Sequence, residues 1–340
     1  MLATPLLPGD YLDLVRPLGA GGRLHGRVLE VLPETPGAAS LVIRPGRDWR
    51  RHRPGQYVRL GVEIDGVRHW RAYSLTSAPD RADGCLTVTV KAADDGLVSR
   101  HLVHRARPGE LLLLEQAAGD FTLPARPPAK ALLLAAGSGI TPLAGLLRSS
   151  LHRLPDVVLI HTARTPQEAI FGAELRALHH QGRLRLIERH TATEGRLTPA
   201  EVTALVPDHA QRDVWACGPG PLLDALEEHR AAHGLGAAWH TERFRLAPAA
   251  VGEGGTVTFT RSNTRATTDG ATPLLTAGED AGVLMPYGCR MGVCFGCVAP
   301  LTQGAVRDLR DGRLTSAVPG ERVPVQTCVS AAAGPCEIEL

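Results

Sequence analysis

Four cysteines near the C-terminus constrain the fold of this chain more than any other feature. They are Cys289, Cys294, Cys297 and Cys328, spaced C-x4-C-x2-C and then, after 30 intervening residues, C. This is the ligand spacing of a plant-type [2Fe–2S] cluster, whose two irons each take two sulfurs from the protein. Zinc sites usually use x2 spacings in both halves, and a 340-residue chain needs no disulfides to stabilise it. The spacing therefore predicts a [2Fe–2S] centre.

The cysteine loop is also rich in glycine. Gly288, Gly292 and Gly296 allow backbone turns that residues with a Cβ resist. Backbone N–H groups in such a loop can point at the cluster sulfurs.

Composition excludes several classes of partner. The net charge is +2, from 37 basic and 35 acidic residues, and aromatic residues make up only 4% of the chain. These values give no reason to expect a nucleic-acid partner or an electrostatic membrane anchor. No apolar run approaches 18 residues, and residues 1–13 lack the basic start of a signal peptide. Seven cysteines, an odd number, fit a reducing compartment. We expect a cytoplasmic monomer without a transmembrane segment.

The patterning along the chain divides it into three domains after an N-terminal extension, residues 1–24. Residues 25–128 contain short apolar strands broken by Gly and Pro, which predicts an antiparallel β-barrel. Strands and helices alternate over 129–248, which predicts an α/β domain with a parallel sheet and includes one helix over 166–180. Residues 255–340 carry the four cysteines, and we expect an α+β domain of the β-grasp type there.

A second motif, Arg71-Ala72-Tyr73-Ser74, lies in the predicted barrel. On a strand it brings an Arg, a Tyr and a Ser side chain near one surface. Arg can pair with a diphosphate, Tyr can stack on a flat ring, and Ser can form a hydrogen bond with a ring nitrogen. From these residues alone, an exposed strand with an ion pair remains the alternative.

A third motif runs from Ala136 to Pro142, with the sequence Ala-Gly-Ser-Gly-Ile-Thr-Pro. It follows an apolar strand and opens a helix, which is the context of a phosphate-binding loop. Downstream, Cys217-Gly218-Pro219 ends another strand of the same predicted sheet. A buried core cysteine is the alternative interpretation of Cys217.

Taken in order over residues 25–244, these motifs resemble the ferredoxin–NADP reductase superfamily, whose flavin motif is R-x-Y-S. The resemblance implies an FAD site, because in that family a Gly-x-x-Ser segment begins a helix whose N-terminus holds the flavin pyrophosphate. The residues that it assigns to FAD are Arg71, Tyr73, Ser74, Lys91, Gly96, Val98 and Ser99.

The same resemblance implies a nicotinamide dinucleotide site and a small catalytic set. The dinucleotide would contact Gly137, Gly139, Thr141, Pro142, Cys217, Gly218 and Pro219. Ser74 would orient flavin N5, Cys217 would flank the nicotinamide, and Glu242 and Phe244 would lie near the flavin.

The choice between NADPH and NADH is predicted from the end of the second strand of the α/β domain. Arg164 follows that strand and could pair with a 2′-phosphate. No acidic residue is present there to bind a free ribose 2′-hydroxyl. We therefore expect NADPH, with NADH as the alternative.

Together the three cofactors indicate a protein that converts a two-electron donor into two one-electron deliveries. The domain order resembles actinobacterial oxidoreductases that supply fatty acyl-CoA or stearoyl-CoA desaturases, particularly over residues 289–294 and 306–309. The resemblance implies a separate protein acceptor, with fatty acid desaturation as the expected process. A membrane-bound acceptor would make the chain peripheral to a membrane. We expect that acceptor to bind near Arg290, Met291 and Phe295.

Other functions are compatible with parts of this pattern. Related chains are the reductase components of Rieske or other multicomponent oxygenases, or of cytochromes P450. A non-autonomous electron-transfer subunit, as in dihydroorotate dehydrogenase, is disfavoured by the long gap before Cys328. A redox sensor would leave the flavin and nucleotide motifs unexplained.

Overall fold

The chain forms two compact units, residues 1–244 and 245–340. The computed structural model describes residues 18–19, 23–94, 96–244, 252–287, 292 and 295–340. Among these, no helix has both the length and the apolar character needed to cross a membrane.

The first unit begins with an antiparallel sheet whose strand order is β4-β3-β6-β1-β2-β5. Its strands are β1 His25–Thr35, β2 Ala38–Pro45, β3 Tyr57–Ile64, β4 Val67–Ser74, β5 Leu86–Lys91 and β6 Leu111–Leu114. An antiparallel bridge between Leu75 and Val88 joins the two outer strands. Because the outer strands meet, the sheet closes into the predicted barrel. Helix α1, Leu97–His104, packs on it through Val98 and Leu102.

A parallel five-stranded sheet follows, with strand order β11-β10-β7-β8-β9. Its strands are β7 Lys130–Ala136, β8 Asp156–Ala163, β9 Arg185–His190, β10 Asp213–Cys217 and β11 Trp239–Glu242. The helices between them are α2 Ile140–Ser150, α3 Gly172–His180, α4 Thr191–Glu194, α5 Pro199–Leu205 and α6 Gly220–Ala232.

Both faces of this parallel sheet are buried. Leu133, Leu159 and Trp215 belong to one apolar cluster, whereas Leu132 and Ile160 belong to another. Strands covered on both faces contain continuous apolar runs, as residues 131–135 do. The parallel sheet that the alternation of strands and helices predicted is thus present. The first strand, β7, lies between β8 and β10, so the strand order reverses at its carboxyl end. Ligands of open α/β sheets bind at such a reversal.

The helix predicted over residues 166–180 was wrong in its first half. Residues Pro166–Glu168 form a single 3-10 turn, and helix α3 begins only at Gly172. Between them Phe171 has a φ of 59°, in the left-handed region, and is buried. The guanidinium carbon of Arg148 lies 4.3 Å from the centroid of the Phe171 ring. Burial of this aromatic side chain overrides the helical pattern.

Helix α2 packs directly on the chain that leaves β4. A Cβ on Gly145 would lie 2.4 Å from the carbonyl oxygen of Leu75, so only glycine permits this approach. Arg148 Nη1 donates a hydrogen bond of 2.9 Å to the carbonyl oxygen of Thr76. These contacts bring the Arg-x-Tyr-Ser strand beside the parallel sheet.

The second unit is a mixed sheet with strand order β13-β12-β17-β14-β15, and β16 pairs with β14. The strands are β12 Gly255–Phe259, β13 Thr264–Thr268, β14 Val298–Asp308, β15 Leu314–Ala317, β16 Val323–Gln326 and β17 Ser330–Ile338. Helix α7, Leu274–Asp280, buries Leu274 and Leu275 in a core with Phe259 and Ile338. β12 and β17 are parallel. One helix on a mixed sheet is the expected β-grasp arrangement.

Candidate functional site

Ser74, Cys217 and Glu242, the three predicted catalytic residues, end three different strands of the first unit. Ser74 ends β4, Cys217 ends β10 and Glu242 ends β11. The Ser74 hydroxyl lies 3.5 Å from Glu242 Oε2. Cys217 and Glu242 are register partners on adjacent parallel strands. The structure thus brings together residues that are far apart in sequence.

The electrostatics of this group follow from its burial. Burial raises the pKa of Glu242 to about 7, and the hydrogen bond from Ser74 acts in the opposite direction. Cys217 is 1% exposed. Burial, and then the nearby charge of Glu242, raises the pKa of its thiol well above the usual value. The site therefore holds a protonated thiol beside a carboxyl group that titrates near neutrality.

Arg71 and Tyr73 lie on one face of β4, and Ser74 lies on the other. Side chains alternate along a strand, so the expectation that all three share one surface was wrong for Ser74. The phenol of Tyr73 is largely buried, and burial raises its pKa well above the usual range. Arg71 Nη1 donates a 2.8 Å hydrogen bond to the carbonyl oxygen of Trp70. A guanidinium and a flat, uncharged ring on one face suit a diphosphate and a flavin ring.

A tight turn precedes helix α1. The Ser99 hydroxyl accepts a 3.1 Å hydrogen bond from the Ala93 N–H and donates to the Gly96 carbonyl at 3.2 Å. A Cβ on Gly96 would lie 2.2 Å from Ser99 Oγ, so a larger residue would displace the Ser99 hydroxyl from these two hydrogen bonds. Val98 is buried in the barrel core. Of the predicted FAD residues here, Gly96 and Ser99 shape the turn and Val98 anchors the helix.

The Gly137–Gly139 turn and the Cys217–Pro219 turn pack against each other at the edge of the parallel sheet. A Cβ on Gly139 would lie 2.0 Å from the carbonyl oxygen of Cys217. Gly137 has a φ of 57°, and no atom lies within 4 Å of where its Cβ would be. The Thr141 hydroxyl donates to the Ser138 carbonyl at 2.9 Å, and Pro142 is buried. Gly139 therefore permits the close contact between the two turns, whereas Gly137 faces open space.

A cleft of about 640 Å³ opens in front of the Gly137 turn. Its lining includes Lys91, Gly137, Ser138, Arg164, Arg196 and Pro219. Arg164 and Arg196 are both exposed, and neither side chain makes an ion pair within the described part of the chain. Among the residues that the structure describes, the cleft lining contains no Asp or Glu side chain. Lys91 Nζ lies 3.5 Å from Glu168.

Sequence reasoning missed Arg196. It lies in the segment between α4 and α5, where no motif marks it, and only the fold brings it to the same cleft as Arg164. His161, near the end of β8, was missed as well. His161 is 1% exposed, and a contact with the Gly137 backbone raises the pKa of its ring less than burial lowers it. Burial lowers the pKa of His161 to about 4, so the ring is neutral at physiological pH.

In the second unit the structure describes two of the four predicted cluster ligands. Cys297 and Cys328 are both buried, whereas Cys289 and Cys294 lie outside the described residues, as do Arg290 and Met291. A hydrogen bond with the Cys328 side chain lowers the pKa of Cys297 to about 6. The Thr327 hydroxyl donates a 2.9 Å hydrogen bond to the Cys297 carbonyl. Two adjacent thiols of which one ionises readily suit the thiolate donors of an iron–sulfur cluster.

Two predicted aromatic positions lie at the surface. Phe295 is 68% exposed and has a φ of 56°, while Phe244 is 37% exposed. A left-handed φ at a residue with a Cβ is strained and occurs more often at functional sites.

Three family models match successive segments of the chain. An oxidoreductase FAD-binding domain matches residues 50–123, an oxidoreductase NAD-binding domain residues 133–228, and a 2Fe-2S iron-sulfur cluster binding domain residues 257–333. An NADPH oxidoreductase of Mycobacterium tuberculosis is 45% identical over 347 residues, covering 100% of this chain and 90% of the relative. The chain belongs to the ferredoxin–NADP reductase family. It is an NAD(P)H-dependent oxidoreductase with FAD and [2Fe–2S] cofactors.

Two other similar proteins are named as the reductase of an oxygenase. The ferredoxin reductase component of the 3-ketosteroid-9-alpha-monooxygenase of Mycolicibacterium smegmatis is 34% identical, covering 83% of this chain and 87% of that protein. The solved structure of phthalate dioxygenase reductase, described as modular for electron transfer from pyridine nucleotides to [2Fe-2S], superposes with a TM-score of 0.65. The superposition covers 94% of this chain and 98% of the phthalate dioxygenase reductase chain. The sequences are only 21% identical, so the similarity shows a shared fold and no more.

Proposed function

We propose that the reductase passes electrons from NADPH through FAD and its [2Fe–2S] cluster to a fatty acyl-CoA desaturase. The transfer from the nicotinamide to the flavin is supported by one observation: Ser74, Cys217 and Glu242 lie close together at the ends of three strands. When bound, FAD accepts two electrons together from the nicotinamide and releases them singly to the cluster. The domain limits that we propose are 25–128 for FAD, 129–248 for the nucleotide and 255–340 for the cluster, in a cytoplasmic monomer.

The chain's own residues orient the two rings and exclude water. The Ser74 hydroxyl, on the barrel, would donate to flavin N5. Cys217, on the parallel sheet, would support the nicotinamide through a neutral sulfur, because its pKa is raised by burial. Glu242 lies beside both and can hold a proton near neutral pH. Arg71 and Tyr73 would bind the diphosphate and the flavin ring.

Preference for NADPH rests on the two arginines of the cleft. Arg164 and Arg196 line the same cavity as the Gly137 turn. A guanidinium pairs well with a phosphate dianion, and the absence of a carboxylate in that lining removes the usual ligand of a free ribose. The M. tuberculosis relative named as an NADPH oxidoreductase supports the same choice.

The choice of a desaturase rests on the resemblance of residues 289–294 and 306–309 to desaturase reductases. A terminal oxygenase is the second candidate. It is favoured by the name of the 3-ketosteroid monooxygenase relative. Both candidates are separate oxygen-activating proteins that take electrons one at a time.

Replacement of Cys297 by Ser tests the proposed path. The variant should lose NADPH-dependent reduction of cytochrome c, a one-electron acceptor, yet keep ferricyanide reduction by the flavin. Cys336→Ala is the matched control, because Cys336 is also buried in the second unit but stands outside the ligand motif. Undiminished cytochrome c reduction by the Cys297 variant would exclude the cluster as the exit.

The acceptor is tested by coupling the purified reductase to a membrane fraction that contains a stearoyl-CoA desaturase. NADPH-dependent conversion of stearoyl-CoA to oleoyl-CoA supports the proposal. The second candidate would be favoured if this reductase supported a steroid oxygenase but not the desaturase. The same desaturase would have to be active with another reductase.

A further inference from the structure

The turn that follows β14 contains an arginine to which the electron path assigns no role. Asp308 ends β14, and Arg310 lies two residues further on. The turn is attached to the segment after Cys328, because the Leu309 N–H donates a 2.7 Å hydrogen bond to the Val329 carbonyl. Asp308 also pairs in register with Ser330 on β17. Arg310 therefore projects from a rigid turn beside one of the cluster ligands.

The Arg310 guanidinium contacts three different groups. Its Nε and Nη2 atoms donate to the two carboxylate oxygens of Asp308 at 3.0 and 2.7 Å. Nη1 donates to the Gly292 carbonyl at 3.0 Å, and Nη2 also donates to Gln326 Oε1 at 3.1 Å. Asp308 is only 7% exposed, whereas the Arg310 side chain is 33% exposed, so the carboxylate side of this two-bond pair is shielded from water. The two hydrogen bonds to Asp308 hold the planar guanidinium of Arg310 in one defined orientation.

The contacts join the two segments that carry the cluster ligands. Gly292 belongs to the cysteine loop, between Cys289 and Cys294, whereas Gln326 directly precedes Thr327 and Cys328. Gln326 Nε2 donates to the same Gly292 carbonyl at 2.8 Å. A Cβ on Gly292 would lie 2.6 Å from Arg310 Nη1, and the φ of Gly292 is 72°. The glycine is thus seated against the guanidinium.

The charge of Arg310 is directed at the ligand segments. Its Nη1 edge faces the Gly292 carbonyl, and the Asp308 carboxylate holds the opposite edge. Gln326, which accepts from the same guanidinium, lies two residues before Cys328, and Leu309, next to Arg310, donates to the Val329 carbonyl directly after Cys328. The positive charge is therefore held between the cysteine loop and the Cys328 segment.

We propose that Arg310 is a positioning residue of the iron–sulfur centre, which joins the cysteine loop to the Cys328 segment and favours the reduced cluster through its charge. This inference rests on the cluster that the family implies. One-electron reduction adds a negative charge among the four thiolates, and a fixed positive charge nearby stabilises the product. Hydrogen bonds and charge around the sulfurs are established determinants of cluster potential.

The test is the midpoint potential of the cluster in the intact, cofactor-loaded reductase, measured by a mediated dithionite titration with electron paramagnetic resonance. Arg310→Gln should lower the midpoint potential of the cluster by about 59 mV. For one electron, this corresponds to an about tenfold fall in the equilibrium constant for reduction. Arg310→Lys, which keeps the charge, should recover part of the change. Asp308→Asn removes a negative charge and should raise the potential. The flavin potential in the same samples should be unchanged.

Arg261→Gln is the control for a change of charge alone. Arg261 pairs with Glu339 at 2.7 Å, beyond the opposite end of β17 from Cys328. That strand has nine residues and spans about 30 Å, so no shift is expected.

An unchanged potential in Arg310→Gln, or shifts of the same sign in Arg310→Gln and Asp308→Asn, would overturn the proposal. If Arg310→Gln does not assemble a cluster, Asp308→Asn decides: a raised potential supports the proposal and an unchanged one overturns it. Because no nucleotide or acceptor is used, the result does not depend on the proposed electron path.

Discussion

The Ser74 hydroxyl lies 3.5 Å from the Glu242 carboxylate, although the two residues are 168 positions apart in the chain. The contact joins the last residue of a barrel strand to the last residue of a parallel strand. It is one of the polar contacts that join the flavin and nucleotide portions of the first unit, as Arg148 to the Thr76 carbonyl is. Because the carboxyl group is largely removed from water, its ionisation is expected to depend on this contact.

Replacing Glu242 by Gln should stabilise the reductase at alkaline pH. The pKa of Glu242 is raised to about 7, so its contribution to stability is fully present below the unfolded pKa and is lost as pH rises through 7. The cost of the ionised form is at most about 3 kcal/mol. The thermal midpoint of Glu242→Gln should exceed that of the unmodified reductase at pH 8.5 and equal it near pH 4.5. Exposed Glu228→Gln is the control. Equal midpoints at both pH values would show that Glu242 is not destabilised by burial.

Replacing Cys217 by Ala should slow electron transfer from NADPH without releasing FAD. The sulfur would support the nicotinamide, and loss of correct positioning costs about tenfold or more in rate. The measurement is ferricyanide reduction at saturating NADPH, together with the FAD content. Cys85→Ala is the matched control, since Cys85 is also buried but lies in the barrel. A Cys217 variant with an unchanged kcat would remove this residue from the site.

Two glycines of the nucleotide turn should respond differently to substitution by alanine. Gly139→Ala would bring a Cβ to within 2.0 Å of the Cys217 carbonyl oxygen, which forces the two turns apart. Gly137→Ala meets open space, and its left-handed φ costs only about 1 kcal/mol. The free energy of unfolding should therefore fall further in Gly139→Ala than in Gly137→Ala. Differential scanning calorimetry of both variants would check this order, and the reverse order would contradict the described packing.

Arg164 and Arg196 should determine the preference for NADPH. Replacing either by Gln removes a charged hydrogen bond, which is expected to lower kcat/KM for NADPH by roughly tenfold to a hundredfold. The kcat/KM for NADH should change little, because NADH lacks the 2′-phosphate. Arg153→Gln is the control, since that side chain donates to the Ala125 carbonyl and is not part of the cleft lining. Equal losses with NADH and NADPH would indicate a general role in binding instead.

Local patterns in the sequence predicted the architecture well, because each fold class has its own periodicity. The barrel, the parallel sheet and the β-grasp domain all follow from the sequence and are present in the structure. The early part of the helix over residues 166–180 could not be predicted, because burial of Phe171 depends on tertiary contacts. The same holds for Arg196 and Arg310. Neither belongs to a motif, and each acquires its place only through the packing of distant segments.

The electron path from NADPH through FAD to the cluster is tested by anaerobic reduction with NADPH alone, followed by low-temperature electron paramagnetic resonance. The electron path predicts the signal of one reduced [2Fe–2S] cluster per chain in the reductase, and none in a preparation from which FAD has been removed. A reductase whose flavin is bleached by NADPH, while its cluster is reduced by dithionite and never by NADPH, would contradict this electron path.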